Sequence, residues 1–135
     1  MRDVLPLLVL CAAALLFLVG SLGMTFHVEP FYTWYYCFAW WSYILALESL
    51  LALRGGFSLL YDRPGKFLFL LPLSITLWLI FEAFNFRLEN WHYLNVPASL
   101  HWRWLGYCVS FATVLPAIFV TKELLTFLGF WEDHN

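Results

Sequence analysis

Charge is what this sequence has least of. Asp, Glu, Lys and Arg together make up 12% of it, and the formal net charge is −2. A soluble domain carries roughly a quarter charged residues. No basic patch is concentrated enough to serve nucleic acid, so that partner class is set aside. Paired cysteine is also missing: Cys11, Cys37 and Cys108 form no CxxC and lie inside apolar runs, which reads as apolar packing rather than thiol redox chemistry or zinc binding. HExxH, GxSxG and a phosphate-binding glycine loop are absent, so no metalloprotease, serine hydrolase or nucleotide-hydrolysing signature is present. With no low-complexity segment and no clear repeat in 135 residues, one domain over 1–135 is expected.

Apolar residues fill the space that charge leaves. They make up 63% of the chain, too many to bury inside a core of this size, so the bilayer is the solvent for much of the surface. Four continuous runs stand out, at 4–26, 31–53, 67–84 and 105–125. At ~1.5 Å per residue each crosses a hydrocarbon layer of ~30 Å. Helices are expected because the runs do not alternate and lipid cannot satisfy free backbone groups. A cleaved signal peptide is the rival reading of the first run, given Arg2 before it and Ser21-Leu22-Gly23 within it. The apolar stretch continues past that site, which favours a retained span. The fold expected is all-α, a four-helix transmembrane protein of the bacterial inner membrane.

Lys and Arg near the span ends set orientation. An inside N-terminus places Arg2, Arg54, Arg63, Lys66 and Lys122 on the cytoplasmic side and leaves Arg87 and Arg103 outside, so N-in/C-in is expected. The segment 54–66, RGGFSLLYDRPGK, then becomes a basic inner loop with turn residues. The segment 85–104 becomes a long outer loop whose Trp91, Tyr93, Trp102 and Trp104 suit the membrane interface.

Aromatics crowd the start of the second run: nine fall in the thirteen positions from Phe31 to Tyr43. They cover every face of a helix, more than an interfacial belt needs. Some must face protein or a flat apolar ligand. Trp34, Trp40, Trp41, Trp78, Trp91 and Tyr93 are the candidate cofactor-contacting residues, with a tetrapyrrole, a carotenoid or a quinone as the ligand classes that stacking suits.

Ionisable groups inside spans are costly and usually paired. Glu48 and Lys122 fall at similar depth near the inner ends of the second and fourth runs, and an interhelical pair is expected. Glu82 lies near the outer end of the third run, with Trp78, Asn85 and Glu89 on its stripe. Arg103 and His101 are at the right depth to meet it. So is a polar stripe of Tyr107, Ser110 and Thr113. His27, His92 and His101 gather at the same face without metal-ligand spacing, and no metal set is assigned.

The runs WWSYILALESLLALRGGFSLL, LLPLSITLWLIFEAFNFRLENWHYLNVP and LGYCVSFATVLPAIFVTKELL resemble a family of bacterial multi-pass membrane proteins without an assigned activity. A fainter similarity links Glu82, Trp91, Tyr93 and Pro97 to the membrane cyclases and hydratases of carotenoid synthesis, which also place a helix-end acid before an aromatic, proline-containing loop. The paired acids that follow a proline in the cyclases are missing here.

Three functions follow as expectations. The first is a small membrane subunit with an assembly role in a larger complex, in contact with lipid and with other membrane subunits or copies of itself, and touching pigment or quinone. The second is an enzyme acting on an isoprenoid or lipid, with Glu82 as general acid supported by Asn85 and His92. The third is a small dimeric transporter using Glu48 and Glu82.

Overall fold

The computed structural model describes residues 3–130. Six helices follow one another: α1 (Val4–Thr25), α2 (Tyr35–Leu53), α3 (Leu59–Asp62), α4 (Pro64–Leu88), α5 (Leu100–Phe111) and α6 (Val114–Phe127). No strand occurs among the described residues. Helices α1, α2 and α4 are each long and apolar enough to cross a membrane. So is the α5–α6 unit taken as one span, Leu100–Phe127. The chain is therefore all-helical with four candidate spans. Its exposed Leu, Phe and Val side chains along α1 and α4 mark a lipid-embedded surface. Arg2, counted in the orientation argument, lies outside the described residues.

The span boundaries differ from those expected, for local reasons. The second span starts at Tyr35, because residues 29–34 form turns before the helix proper. The third runs from Pro64 to Leu88, longer at both ends than 67–84. Pro64 takes the first helical turn, where its missing N–H costs nothing. At the other end Glu89 adopts a left-handed conformation (φ 51°) and closes the helix with its N–H on the Asn85 carbonyl, 2.8 Å. The fourth span starts at Leu100, so the long connection is Glu89–Ser99 rather than 85–104.

α2 is the hub, packing against α1, α3, α5 and α6, while α4 packs on α3, α5 and α6. α1 meets α2 through small residues: its buried positions are Pro6, Ala13, Gly20 and Gly23. The first three are spaced by sevens, the period of a left-handed helix seam. A Cβ on Gly23 would lie 2.5 Å from Phe31 Cβ, in the turn that leads into α2, so the chain folds back this close to α1 only with glycine there. Ile44, Phe67 and Ala117 form the apolar centre, with Trp41, Leu59, Leu60 and Leu71 against it.

Two polar devices hold the bundle. The first is at Glu48, which is 1% exposed. Its Oε2 accepts the Ser58 hydroxyl and the Leu60 N–H, the latter at 3.1 Å. The Ser58 N–H in turn donates to Asp62 at 2.8 Å. The carboxylate thus meets the free N–H groups that open the one-turn helix α3. The expected Glu48–Lys122 pair does not form: Lys122 is solvent-accessible and bonds Glu123 at 2.8 Å. A hydroxyl and a backbone N–H ten and twelve residues away reach the carboxylate before a distant cation does.

The second device sits where the fourth span breaks. Pro116 has no N–H and cannot donate to the Ala112 carbonyl, so the ladder opens between Phe111 and Val114. Ser74 of α4, 1% exposed, fills the gap. Its hydroxyl donates to the Phe111 carbonyl (2.5 Å) and accepts from the Leu115 N–H (3.0 Å). One side chain thereby takes the place of the helix's own Leu115-to-Phe111 bond, as a span in lipid requires.

Candidate functional site

Glu82, Asn85 and Trp78 lie on one face of α4, near the end at which the chain enters the 89–99 connection. Asn85 anchors that connection by imitating a strand neighbour: its Nδ2 donates to the Trp91 carbonyl at 2.9 Å, and its Oδ1 accepts the Trp91 N–H at 3.1 Å. Glu82 Oε1 accepts from the Trp91 indole N–H at 3.1 Å and from the Tyr93 hydroxyl. Trp78 adds its own indole N–H to the Tyr93 oxygen at 3.3 Å. Every polar group of this α4 stripe holds the connection it precedes.

The anticipated Glu82–Arg103 pair is replaced by these contacts. The Arg103 Nε donates to the Pro97 carbonyl at 3.0 Å, and no carboxylate lies within ion-pair distance of Arg103 among the described residues. Glu82 and Asn85 meet on Trp91, while His92 is exposed and makes no hydrogen bond with either. Among the described residues no three His, Cys, Asp or Glu side chains gather at metal-binding distance.

Partial burial, and then the bond to the Glu82 carboxylate, push the Tyr93 phenol up from 10.0 to about 12. The fold therefore favours neutral Tyr93. That contribution is complete below pH 10 and is lost as pH rises toward 12. The tyrosinate titration of the wild type, compared with that of Tyr93→Phe, is expected to lack one step near 12 in the variant. A missing step near 10 would show that Tyr93 is neither buried nor held as described. Removing the acceptor is a second check. Glu82→Ala leaves the Trp91 and Tyr93 donors without their partner, at about 1–2 kcal/mol. The connection 89–99 should become protease-sensitive while the helix content stays intact; an unchanged cleavage rate would count against the anchor.

Behind this connection lies a cavity of about 250 Å³ between α2, α4, α5 and residues 93–97. Trp34, Trp78, Tyr93, Tyr107 and Phe111 supply its aromatic walls. Tyr107 and Phe111 stack almost parallel, 4° apart with centroids 5.6 Å apart, and Tyr93 tilts over both. Its polar lining includes Thr33, Asn95, Arg103 and the Cys37–Ser110 pair, whose Sγ and Oγ are 3.2 Å apart.

Of the aromatic candidates, Trp34, Trp78 and Tyr93 line this cavity. Trp40 lines a groove between α2 and α6. Trp41 donates to the Val109 carbonyl at 3.2 Å and ties α2 to α5. Trp91 packs on Trp78, centroids 6.5 Å apart, outside the cavity. Cys37 and Phe111 were not singled out as site residues, because an apolar residue inside a span carries no signal of what it faces. The stripe of Tyr107 and Ser110 was visible, but it turns to the cavity rather than to Glu82.

Comparison with family models, with curated proteins and with solved structures finds no match to the chain.

Proposed function

We propose that this chain is a small integral membrane subunit with a structural or assembly role in a larger complex of the bacterial cytoplasmic membrane, oriented N-in/C-in. One observation carries the reading. Each carboxylate on the helices α2 and α4 is engaged in holding an adjacent connecting segment: Glu48 holds 58–60, and Glu82 holds 91–93. Carboxylates bound in this way serve as anchors for the segments they touch. The broad apolar faces of α1 and α4 suit lipid and neighbouring subunits alike. The excess of Lys and Arg at the 54–66 end supports the orientation.

The test is extraction of the native protein in mild detergent with identification of every chain that co-elutes. Defined partner chains in fixed proportion are the expected result. A lone chain with its own turnover of an isoprenoid or lipid, abolished by Glu82→Gln, would overturn the assembly role in favour of the enzyme.

A further inference from the structure

We infer that the cavity between α2, α4 and α5 is a binding site for an isoprenoid quinone, with the ring in the cavity and the tail in the groove between α2 and α6. The inference goes beyond the assembly role and does not depend on it.

Size is the first argument. A space of about 250 Å³ admits one ring or two fused rings and is too small for a tetrapyrrole macrocycle. Shape and chemistry of the walls come next. The near-parallel Tyr107 and Phe111 rings, with Tyr93 and Trp78 beside them, favour a flat, electron-poor ring over a branched or spherical headgroup.

The polar groups then select carbonyl oxygens. Arg103 and Ser110 are seven residues apart on α5, so they share a face and stand two turns apart. That separation, ~10 Å along the axis, suits a para-dicarbonyl ring with oxygens roughly 5 Å apart and a hydrogen bond of ~2.8 Å at each end. Between the two donors stand Tyr107 and Gly106. A Cβ on Gly106 would already touch the Trp34 ring at 3.4 Å, so glycine keeps the wall clear between them. The Arg103 guanidinium has no carboxylate partner among the described residues and is half-buried, a position that favours an acceptor from a ligand. A carotenoid hydrocarbon offers it none.

The tail has an adjoining groove. Tyr36 and Trp78 line both the cavity and the α2–α6 groove, which holds about 790 Å³. The groove continues past Ala39, Ala117 and Ile118 to Tyr43 and Thr121. It therefore runs beside the middle of the spans, where an isoprenoid chain is at home. A second groove, which shares Trp34 and Cys37 with the cavity, opens beside Glu29 and Ser99.

The experiment uses the full chain in lipid nanodiscs and titrates a short-tailed ubiquinone analogue, reading the quenching of tryptophan fluorescence. Saturable quenching is expected. It should weaken about tenfold in Arg103→Gln, the loss of one charge-assisted hydrogen bond, and disappear in Gly106→Leu. A control in wild type keeps the test valid should a variant fail to fold: the same tail on a benzene ring without carbonyls should not compete. Quenching that rises linearly with quinone and is alike in all variants would show only quinone dissolved in the bilayer, and would overturn the site. So would stronger displacement by an alkyl phosphate, which would assign the cavity to an anionic headgroup. Saturable binding by a chain that elutes without partners would leave the site standing and remove the assembly role. Defined partners without saturable binding would do the reverse.

Discussion

Glu48→Ala is expected to destabilise the bundle by about 2–3 kcal/mol, the cost of leaving a hydroxyl and a backbone N–H buried without the acceptor they share. Ser58 is fully buried and Glu48 nearly so, so water does not easily replace the carboxylate. Glu48→Gln keeps an oxygen acceptor and should lose less. Unfolding by increasing SDS in mixed micelles measures both. The informative control is Lys122→Ala. Were Glu48 paired with that lysine, the two substitutions would cost alike. With Lys122 bonded only to Glu123 and its side chain 59% accessible, its removal should change stability by less than about 0.5 kcal/mol. Equal costs for the two variants would overturn the loop-anchor assignment.

Ser74→Ala is the second substitution with a large expected effect, about 2 kcal/mol. It strips the Phe111 carbonyl and the Leu115 N–H of their common partner at a position with almost no exposure. The deficit should be local as well as global, with the Leu115 amide exchanging faster than its neighbours. A second-site change gives a sharper prediction. Pro116→Ala restores an N–H for the Ala112 carbonyl and lets the ladder close through the break. In that background Leu115 can bond Phe111 directly, and Ser74→Ala should then cost less than it does alone. Additive costs would mean that the serine does not act on the proline break.

These two residues show what was legible in the sequence. The four spans were, because an uninterrupted apolar stretch of such length has few other fates in water or lipid. Their edges were less so. Pro64 and Arg87 look like loop residues by polarity, yet a proline fits the first turn of a helix and an arginine near a span end extends its head to the interface. The connection between the third and fourth spans was expected to begin at Asn85, whereas that asparagine still belongs to α4 and reaches forward to Trp91. The partner of Glu48 is expected by matching charge with charge, and that of Glu82 among Arg103, His101 and the Tyr107–Ser110–Thr113 stripe. The bundle gives Glu48 a serine hydroxyl and a backbone N–H, which no letter in the sequence marks, and gives Glu82 the Trp91 indole and the Tyr93 hydroxyl. Ser74 is the extreme case. A serine inside an apolar run is unremarkable until the carbonyl it serves, 37 residues later, is seen beside it.

The same two anchors also differ in when the chain can complete them. Glu48 finds both donors within twelve residues. A chain emerging in order from the ribosome can neutralise the cost of that acid as soon as the next turn appears, with α4 not yet made. Ser74 waits for residues 37 and 41 positions further on. The fourth span, broken at its proline, therefore arrives at a bundle in which the hydroxyl that mends it is already in place. The hinge is closed by a neighbour that precedes it, and the order of synthesis becomes the order of assembly.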